Sequence, residues 1–378
     1  MTLKEKLEIL RGEPIKVFEG DPKDIPCIET SDAERLCKHP VVSVHMITYN
    51  HEPYIRQAIE GVMMQKTDFE FELVIGEDCS RDKTREICFE YQKKYPDKIR
   101  VLWWHENVSR FGGNARRVTA HCRGEFIALC EGDDYWIDPL KLQKQLDVMN
   151  AYPSVGLCFC KAKRYIQETE RFADWSVDFS TGVIPQDIFY SMMVDVDWWP
   201  RRTVATATVM LRNDLRRKVY EKYDIFNWCL SLGDLTMWTG LSMKADVYFS
   251  PEVVAVYRIN SDSLCGKNVD RVNRDAYIVK EYYVLKRYGV DFYRIPRDIV
   301  TSQLRRIICA DTRCPLTTRF DYTRNLFELF GWNNMLLRFM TSIVAVVYLL
   351  GVNSVFIKRM ILKLFQLVLR RNSIHFKL

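Results

Sequence analysis

The amino-acid sequence predicts an α/β protein with a Rossmann-like, mostly parallel β-sheet flanked by helices. Between residues 41 and 150, short apolar segments alternate with helical ones at a spacing typical of right-handed β-α-β units. The apolar segments have almost no polar interruptions, which favours a sheet buried on both faces. Polar or aromatic clusters also follow three of these segments. Because the carboxyl ends of parallel strands meet at one edge, we expect those clusters to lie together.

The elements follow in order along the chain. The first strand is predicted at 41–49 and is broken by Asn50-His-Glu-Pro53, after which the apolar spacing is helical. The same alternation predicts strands at 69–75, 99–103 and 125–130 and helices at 54–65, 84–95, 114–121 and 140–149. Beyond residue 150 the pattern is mixed, with strands at 155–160, 205–211, 247–249 and 253–257, a helical segment from 232, a polar loop at 258–266 and a helix at 270–306.

Composition narrows the function classes. The chain has 378 residues, a formal net charge of +6 and 48% hydrophobic residues, which suits a globular protein and not a nucleic-acid-binding one. Its 12 cysteines include no Cys-x-x-Cys pair, which indicates free thiols in a reducing compartment. The first residues are charged and form no apolar run, so we expect no signal peptide and a cytoplasmic protein.

The segment Glu131-Gly-Asp-Asp134 places three carboxylates directly after a predicted strand. Carboxylates this close repel one another unless a cation lies among them, and a divalent cation that holds a phosphate would satisfy them. The structural alternative is a solvated turn before a helix that Asp138 caps and Pro139 begins. The residues alone leave both interpretations open.

Three segments, in order and with helices between them, carry a resemblance to a known family. They are Val44-His-Met-Ile-Thr-Tyr-Asn50, Gly76-Glu-Asp-Cys-Ser-Arg-Asp-Lys-Thr84 and Glu131-Gly-Asp-Asp-Tyr-Trp136. Residues 40–160 thereby resemble the family 2 glycosyltransferases of GT-A fold, with a weaker match at Gly233-Asp234 and Tyr257-Arg258. The resemblance implies a nucleotide-sugar donor, for which we expect a UDP-sugar, and a Mg²⁺ or Mn²⁺ ion. It also implies transfer to a glycan acceptor by a single displacement that inverts the anomeric centre.

The resemblance also implies roles for individual residues at the donor site. Tyr49 would stack on the base, Asp78 would accept from the base imide, and Glu52 would contact the nucleoside. Each residue has a structural alternative. Tyr49 would be an ordinary aromatic residue at a strand end, Asp78 would stabilise a turn, and Glu52 would end a strand. Glu131 departs from the commonest Asp-x-Asp form, and its longer side chain would reach a ribose or a metal-bound water.

The remaining roles concern the metal, the diphosphate and the base. Asp133 is predicted near the ribose and metal, and Asp134 as the direct metal ligand. Asp234 is the predicted catalytic base, with a helix amino-terminal acid as the structural alternative. Its rivals are Asp195 and Asp197, beside a Trp pair. Arg258 is predicted to bind the diphosphate, with a surface salt bridge as the alternative.

The carboxyl-terminal tail predicts contact with a membrane surface. Residues 339–357 contain no charged residue, and the next segment is amphipathic, with one basic face that carries Arg359, Lys363 and Arg370. We expect a peripheral location on the inner face of the cell membrane and an acceptor that is a glycan or lipid-linked glycan. Packing of this helix on the protein's own core is the alternative.

The predicted organisation has four regions and one preferred activity. The regions are an irregular lead-in at 1–39, a GT-A domain at 40–268, a helical extension at 269–334 and membrane-associated helices at 335–378. A dinucleotide-binding dehydrogenase and a P-loop enzyme are disfavoured, because neither Gly-x-Gly-x-x-Gly nor Gly-Lys-Ser/Thr occurs at the expected place. A nucleotidyltransferase-like enzyme and a non-catalytic, membrane-tethered glycan-binding module remain as alternatives.

Overall fold

A computed structural model describes residues 22–108, 113–174, 177, 179–194, 204–223 and 233–260. The helix predicted at 270–306 and the whole tail from 335 lie outside these residues. None of the helices within the described ranges is long and apolar enough to cross a membrane. The domain boundaries and the membrane-associated tail therefore stay predictions.

The amino-terminal half of the sheet is parallel, as the alternating pattern predicted. Its strands are β2 (Val42–Thr48), β3 (Phe71–Glu77), β4 (Ile99–Trp103) and β5 (Phe126–Leu129), and their spatial order is β4-β3-β2-β5. The connecting helices are α1 (Ile55–Met63), α2 (Thr84–Lys94) and α3 (Gly113–His121). Nearly every residue of β2 and β3 is buried, which explains why most of their residues are apolar.

The other half of the sheet is mixed, so the expectation of a mostly parallel sheet holds only in part. Strand β10 (Met210–Arg212) runs antiparallel between β5 and β7 (Val155–Ile166), and β11 (Asp246–Ile259) runs parallel to β7. The smaller strands are β1 (Ile28–Thr30), β6 (Tyr135–Trp136), β8 (Arg171–Asp174) and β9 (Gly182–Ile184). The later helices are α4 (Lys141–Ala151), α5 (Gln186–Val194), α6 (Asn213–Tyr223) and α7 (Gly233–Ser242). Apolar spacing carries no information on strand direction, so the sequence did not predict this change.

Two local expectations need correction. The segment predicted as an irregular lead-in contains β1, which pairs with β4 and forms the edge of the sheet. The strands predicted at 247–249 and 253–257 are the two ends of one strand, β11, whose register shifts between Ser250 and Val253. Arg258 therefore lies in a strand and not in the predicted polar loop, and β11 carries it alongside β6 next to the acidic turn.

Helix α4 brings an uncommon buried lysine into the core beneath this turn. The prediction that Asp138 caps this helix is wrong: the helix begins at Lys141 with Leu140 as its N-cap and no side-chain cap, and Asp138 instead accepts from the Leu140 N–H at 2.9 Å in the preceding turn. Lys141 is fully buried, its ammonium donates to Gln145 at 2.7 Å, and it lies 4.1 Å from the ring centre of Trp136. Burial lowers the pKa of Lys141 to about 8, because the charged form has lost its hydration.

This depressed pKa predicts a measurable dependence of stability on pH. Between about pH 8 and pH 10.4 the unfolded chain binds more protons at Lys141 than the folded one, so the wild type should gain stability as pH rises. Relative to Lys141→Met, we expect a gain of about 3 kcal/mol in the free energy of unfolding. Urea denaturation of both proteins across this range measures it. Lys144→Met, at an ammonium that is 42% exposed, is the control, and parallel curves for wild type and Lys141→Met would contradict the prediction.

Candidate functional site

The loops after β2, β3 and β5 meet at the carboxyl edge of the parallel half-sheet. The Asp78 N–H donates to the Thr48 carbonyl at 3.1 Å, which joins the end of β3 to the end of β2. The Gly132 N–H donates to the Ile47 carbonyl at 2.9 Å, which joins the acidic turn to the other side of β2. The predicted convergence of the three clusters at one edge is therefore present.

Side-chain hydrogen bonds lock the loops after β2 and β3 together. The Asn50 N–H donates to the Ser80 hydroxyl at 3.0 Å, and the Arg81 N–H donates to the Asn50 side-chain oxygen at 2.8 Å. Asn50 and Cys79 adopt positive φ angles of 55° and 60°. This conformation is uncommon for residues other than glycine, and it turns the chain sharply at both tips.

Tyr49 and Glu52, both predicted to bind the nucleoside, have different environments on the first loop. Tyr49 is 39% exposed at the rim, by which we mean the solvent-facing edge that these three loops form. A side chain that stacks on a base needs this exposure. The Glu52 carboxylate accepts from the Lys83 N–H at 3.0 Å, and the Glu52 N–H donates to Asp82 at 3.0 Å. Asp82 and Glu52 thus bind each other's loops, and hydrogen bonds from Thr84 and Glu52 outweigh burial and keep the pKa of Asp82 below its usual value.

Asp78, the predicted partner of the base imide, lies below the rim. It is 1% exposed, and its carboxylate accepts from the Val108 N–H at 2.7 Å. The Asn107 side chain donates to the Asp78 carbonyl at 3.0 Å. Asp78 therefore fixes the loop after β4 against the end of β3, and this loop is the neighbour of the rim on the β3 side.

The carboxylates of the acidic turn differ in accessibility. Glu131 and Asp133 are partly exposed, whereas Asp134 is 2% exposed and accepts from the Arg258 N–H at 2.8 Å. Burial, and then the neighbouring carboxylates of Asp133 and Glu131, raise the pKa of Asp134 well above its ordinary value. Of the two predicted metal ligands, Asp133 thus has the accessible carboxylate and Asp134 the buried one.

Arg258 supports this turn from inside the protein. It is 6% exposed, so the alternative of a surface salt bridge is wrong. Its Nε donates to the Asp133 carbonyl at 2.9 Å, and its terminal nitrogens donate to Gln167 at 2.7 Å and Gln57 at 2.6 Å. Three tyrosine rings surround the guanidinium at 4.8–5.4 Å from their centres: Tyr54, Tyr135 and Tyr165. These contacts make Arg258 a brace for the Asp133–Asp134 backbone.

His51 is a site residue to which sequence analysis gave no role. Its Nε2 lies 4.0 Å from the Asp133 carboxylate, and both side chains are about one-fifth exposed, at 23% and 20%. Burial lowers the pKa of His51 although the carboxylates of Asp133 and Asp82 act in the opposite direction. A single histidine in a turn shows no ligand spacing, so only its distance to Asp133 identifies it.

Two buried polar atoms beside the acidic turn have no hydrogen-bond partner among the described residues, Thr48 Oγ1 and His51 Nδ1. Both lie within 3.0 Å of the position that a Cβ on Gly132 would take. Only glycine fits there, so the turn passes directly against these two side chains. Gly132 therefore determines how close Asp133 comes to His51.

The donor atoms at this edge suit a divalent cation that the protein shares with a diphosphate. No group of three His, Cys, Asp or Glu side chains suitable for a metal occurs in the part of the chain that the structure describes. A Mg²⁺- or Mn²⁺-type site needs only one or two protein ligands when phosphate oxygens and water supply the rest. The accessible Asp133 carboxylate meets that requirement.

The predicted base, Asp234, belongs to the first turn of helix α7. Its side chain lies outside the described residues, as do the rivals Asp195 and Asp197 and the Trp pair beside them. Helix α7 packs against α5 and α6. The role of Asp234 stays a prediction.

Residues 43–219 match the family model described as glycosyl transferase family 2. Just under half of the chain is therefore similar to the family 2 glycosyltransferases. Its fold is also similar to that of Staphylococcus aureus TarS residues 1–349 in complex with UDP-GlcNAc, with a TM-score of 0.52, 16% sequence identity, and coverage of 76% of this chain and 82% of that chain. At this identity the similarity concerns the fold.

Curated relatives match this chain over a shorter segment. The uncharacterized protein Rv1520 of Mycobacterium tuberculosis is 42% identical over 118 residues, which is 31% of this chain and 34% of the relative. The putative teichuronic acid biosynthesis glycosyltransferase TuaG of Bacillus subtilis is 34% identical over 110 residues, which is 29% of this chain and 42% of the relative. The match thus spans about a third of Rv1520 and two-fifths of TuaG.

Proposed function

We propose that the protein is a metal-dependent, inverting glycosyltransferase that moves a sugar from a nucleotide-sugar donor to a glycan acceptor. The observation that carries this proposal is the meeting of three loops at one sheet edge, with the exposed Tyr49 ring and the accessible Asp133 carboxylate on the same rim. The match to the family 2 model supports it, because both groups lie within the matched residues 43–219.

The rim residues divide between contact and support. Tyr49 offers an aromatic face to the base, and Asp133 offers a carboxylate near the ribose and the diphosphate. Asp78 accepts from a backbone N–H of the loop after β4, and Glu52 accepts from a backbone N–H of the loop after β3. Arg258 supports the acidic turn. A bound Mg²⁺ or Mn²⁺ ion would neutralise charge on the departing diphosphate.

The acceptor hydroxyl needs a base on the side opposite the diphosphate. We assign this role to Asp234, whose carboxylate would take the hydroxyl proton as the oxygen attacks the anomeric carbon. In a single displacement the diphosphate leaves from the opposite face, so the anomeric configuration inverts. Asp234→Asn should therefore abolish transfer and leave donor binding unchanged.

We propose a UDP-sugar as the donor and a surface polysaccharide or lipid-linked glycan as the acceptor. TarS in complex with UDP-GlcNAc and the teichuronic acid relative TuaG support these classes by similarity. The basic amphipathic face of the tail supports a location at the inner membrane surface. Equal partition of full-length and tail-deleted protein onto anionic vesicles would contradict that location.

A thermal-shift screen tests the proposed function. UDP-, GDP- and dTDP-sugars at 1 mM are each added with Mn²⁺, with Mg²⁺ and with EDTA, and the nucleoside alone is the control. A ligand bound about 100-fold above its Kd stabilises the folded state by roughly 2.7 kcal/mol. We expect a metal-dependent rise in Tm with at least one sugar nucleotide. No rise with any nucleotide would refute the assignment.

A further inference from the structure

We propose that His51 is the second protein ligand of the donor-site cation, opposite Asp133, and that it makes the site prefer Mn²⁺ over Mg²⁺. This inference rests on the proposed function, since the diphosphate would complete the coordination. Its basis is the 4.0 Å distance between His51 Nε2 and the Asp133 carboxylate.

This distance is too long for a hydrogen bond and short enough for a shared ion. Hydrogen bonds between nitrogen and oxygen span about 2.7–3.2 Å, so the two groups face each other without bonding directly. Two atoms that bind one cation at about 2.1–2.2 Å each can be no more than roughly 4.3 Å apart. The space between His51 and Asp133 therefore fits one ion.

Both proposed ligands are held from behind by the same contacts. The His51 N–H donates to the Thr84 hydroxyl at 2.8 Å, and the His51 ring meets the edge of Tyr54, with 6.3 Å between ring centres. Tyr54 in turn packs against the guanidinium of Arg258, which donates to the Asp133 carbonyl. One buried brace thus fixes both sides of the space.

The unpartnered atoms beside Gly132 point to the same site. A histidine that binds a metal through Nε2 carries its proton on Nδ1, and that proton ordinarily has an acceptor. His51 Nδ1 and the 2%-exposed Thr48 hydroxyl both have no partner among the described residues, and both lie on the same side of Gly132. The two atoms do not hydrogen-bond to each other in this structure, so the Thr48 hydroxyl would accept that proton only after a shift of one of the two side chains.

Ligand chemistry then predicts the choice of metal. Mg²⁺ strongly prefers oxygen ligands, whereas imidazole suits later divalent ions, and affinity for a mixed nitrogen–oxygen site rises along the first-row series. A site of one imidazole, one carboxylate and diphosphate oxygens should therefore hold Mn²⁺ more tightly than Mg²⁺. Removal of the imidazole should reduce this preference and leave an oxygen-only site.

The test measures metal binding directly, with UDP and GDP as diphosphate probes. Free Mn²⁺ is quantified by electron paramagnetic resonance in the full-length wild type, His51→Asn and the control His105→Asn, at an exposed histidine. We expect His51→Asn to weaken the affinity for Mn²⁺ at least 10-fold and the affinity for Mg²⁺, measured by competition, less than 3-fold. His105→Asn should match the wild type in both affinities. Electron-spin-echo modulation from a directly bound ¹⁴N should appear in the wild type and not in His51→Asn.

The outcomes separate this inference from the proposed function. Wild-type Mn²⁺–UDP or Mn²⁺–GDP binding without ¹⁴N modulation, or an equal loss of Mn²⁺ and Mg²⁺ affinity in His51→Asn, would overturn the ligand role and leave the glycosyltransferase proposal intact. Failure of the wild type to bind either nucleotide with any metal would overturn both. The modulation is measured on unaltered protein, so it does not depend on the folding of a variant.

Discussion

Arg258→Met should lower the free energy of unfolding by about 1.5–3 kcal/mol, because it removes the charged donor of three hydrogen bonds. The guanidinium donates to the Asp133 carbonyl and to Gln57 and Gln167. Methionine keeps much of the volume between the tyrosine rings and supplies none of these donors. The Asp133 carbonyl, which is only partly exposed, would lose this donor, whereas water could replace it at the exposed Gln57 side chain.

Arg258→Met should also change the acidic turn, both in the pKa of Asp134 and in the support of the Asp133 backbone. The positive charge of Arg258 lowers the pKa of Asp134, against burial and the repulsion from Asp133 and Glu131. Without it, Asp134 would hold its proton more strongly, and the Asp133 backbone would lose its only described side-chain donor. We therefore expect Arg258→Met to lose metal-dependent nucleotide stabilisation as well.

Two further variants make this prediction specific. Arg258→Lys keeps the charge but lacks the planar fork that reaches three acceptors at once, so it should lie between wild type and Arg258→Met. Arg56→Ala removes an arginine whose ion pair with Glu90 is half-exposed, at 49% and 59%, and should leave the free energy of unfolding nearly unchanged. Urea denaturation measures all three, and an Arg258→Met protein within 1 kcal/mol of the wild type would disprove the brace.

The sequence was most informative where structure depends on near neighbours. Strand β4 was predicted at 99–103 and has those bounds, since an apolar run between turn residues needs no distant partner. Helices α1 and α2 were likewise predicted to within two residues at each end. The convergence of Tyr49, Asp78 and Asp133 followed from a general property of parallel sheets, which is why it was predictable without coordinates.

The sequence was least informative where an element depends on distant parts of the chain. Two strands were predicted at 247–249 and 253–257, yet β11 continues through Pro251 by a shift of register, which is where a strand tolerates proline. Arg258 contacts residues 91, 125 and 201 positions away. Its burial, and the position of His51 opposite Asp133, follow from those long-range contacts and from no local pattern.

The two aspartates of the turn should respond in opposite ways to the same chemical change. Asp133→Asn should leave stability within about 1 kcal/mol, because its side chain is partly exposed. It should weaken metal-dependent nucleotide binding and transfer at least about 100-fold, since an amide is a much poorer cation ligand than a carboxylate. Asp134→Asn should retain binding to within about 10-fold, because an amide oxygen still accepts from the Arg258 N–H.

Stability against pH provides the matching test for Asp134. Its pKa is raised in the folded state, so the folded protein binds more protons there than the unfolded chain, and stability falls as pH rises from about 3.9 towards the raised value. Asp134→Asn removes this loss and should be at least as stable as the wild type at pH 7, with a difference that disappears below about pH 3.9. If Asp134→Asn instead abolishes metal-dependent binding as fully as Asp133→Asn, the buried carboxylate is itself a ligand, and the ion lies deeper in the turn than Asp133 and His51 place it.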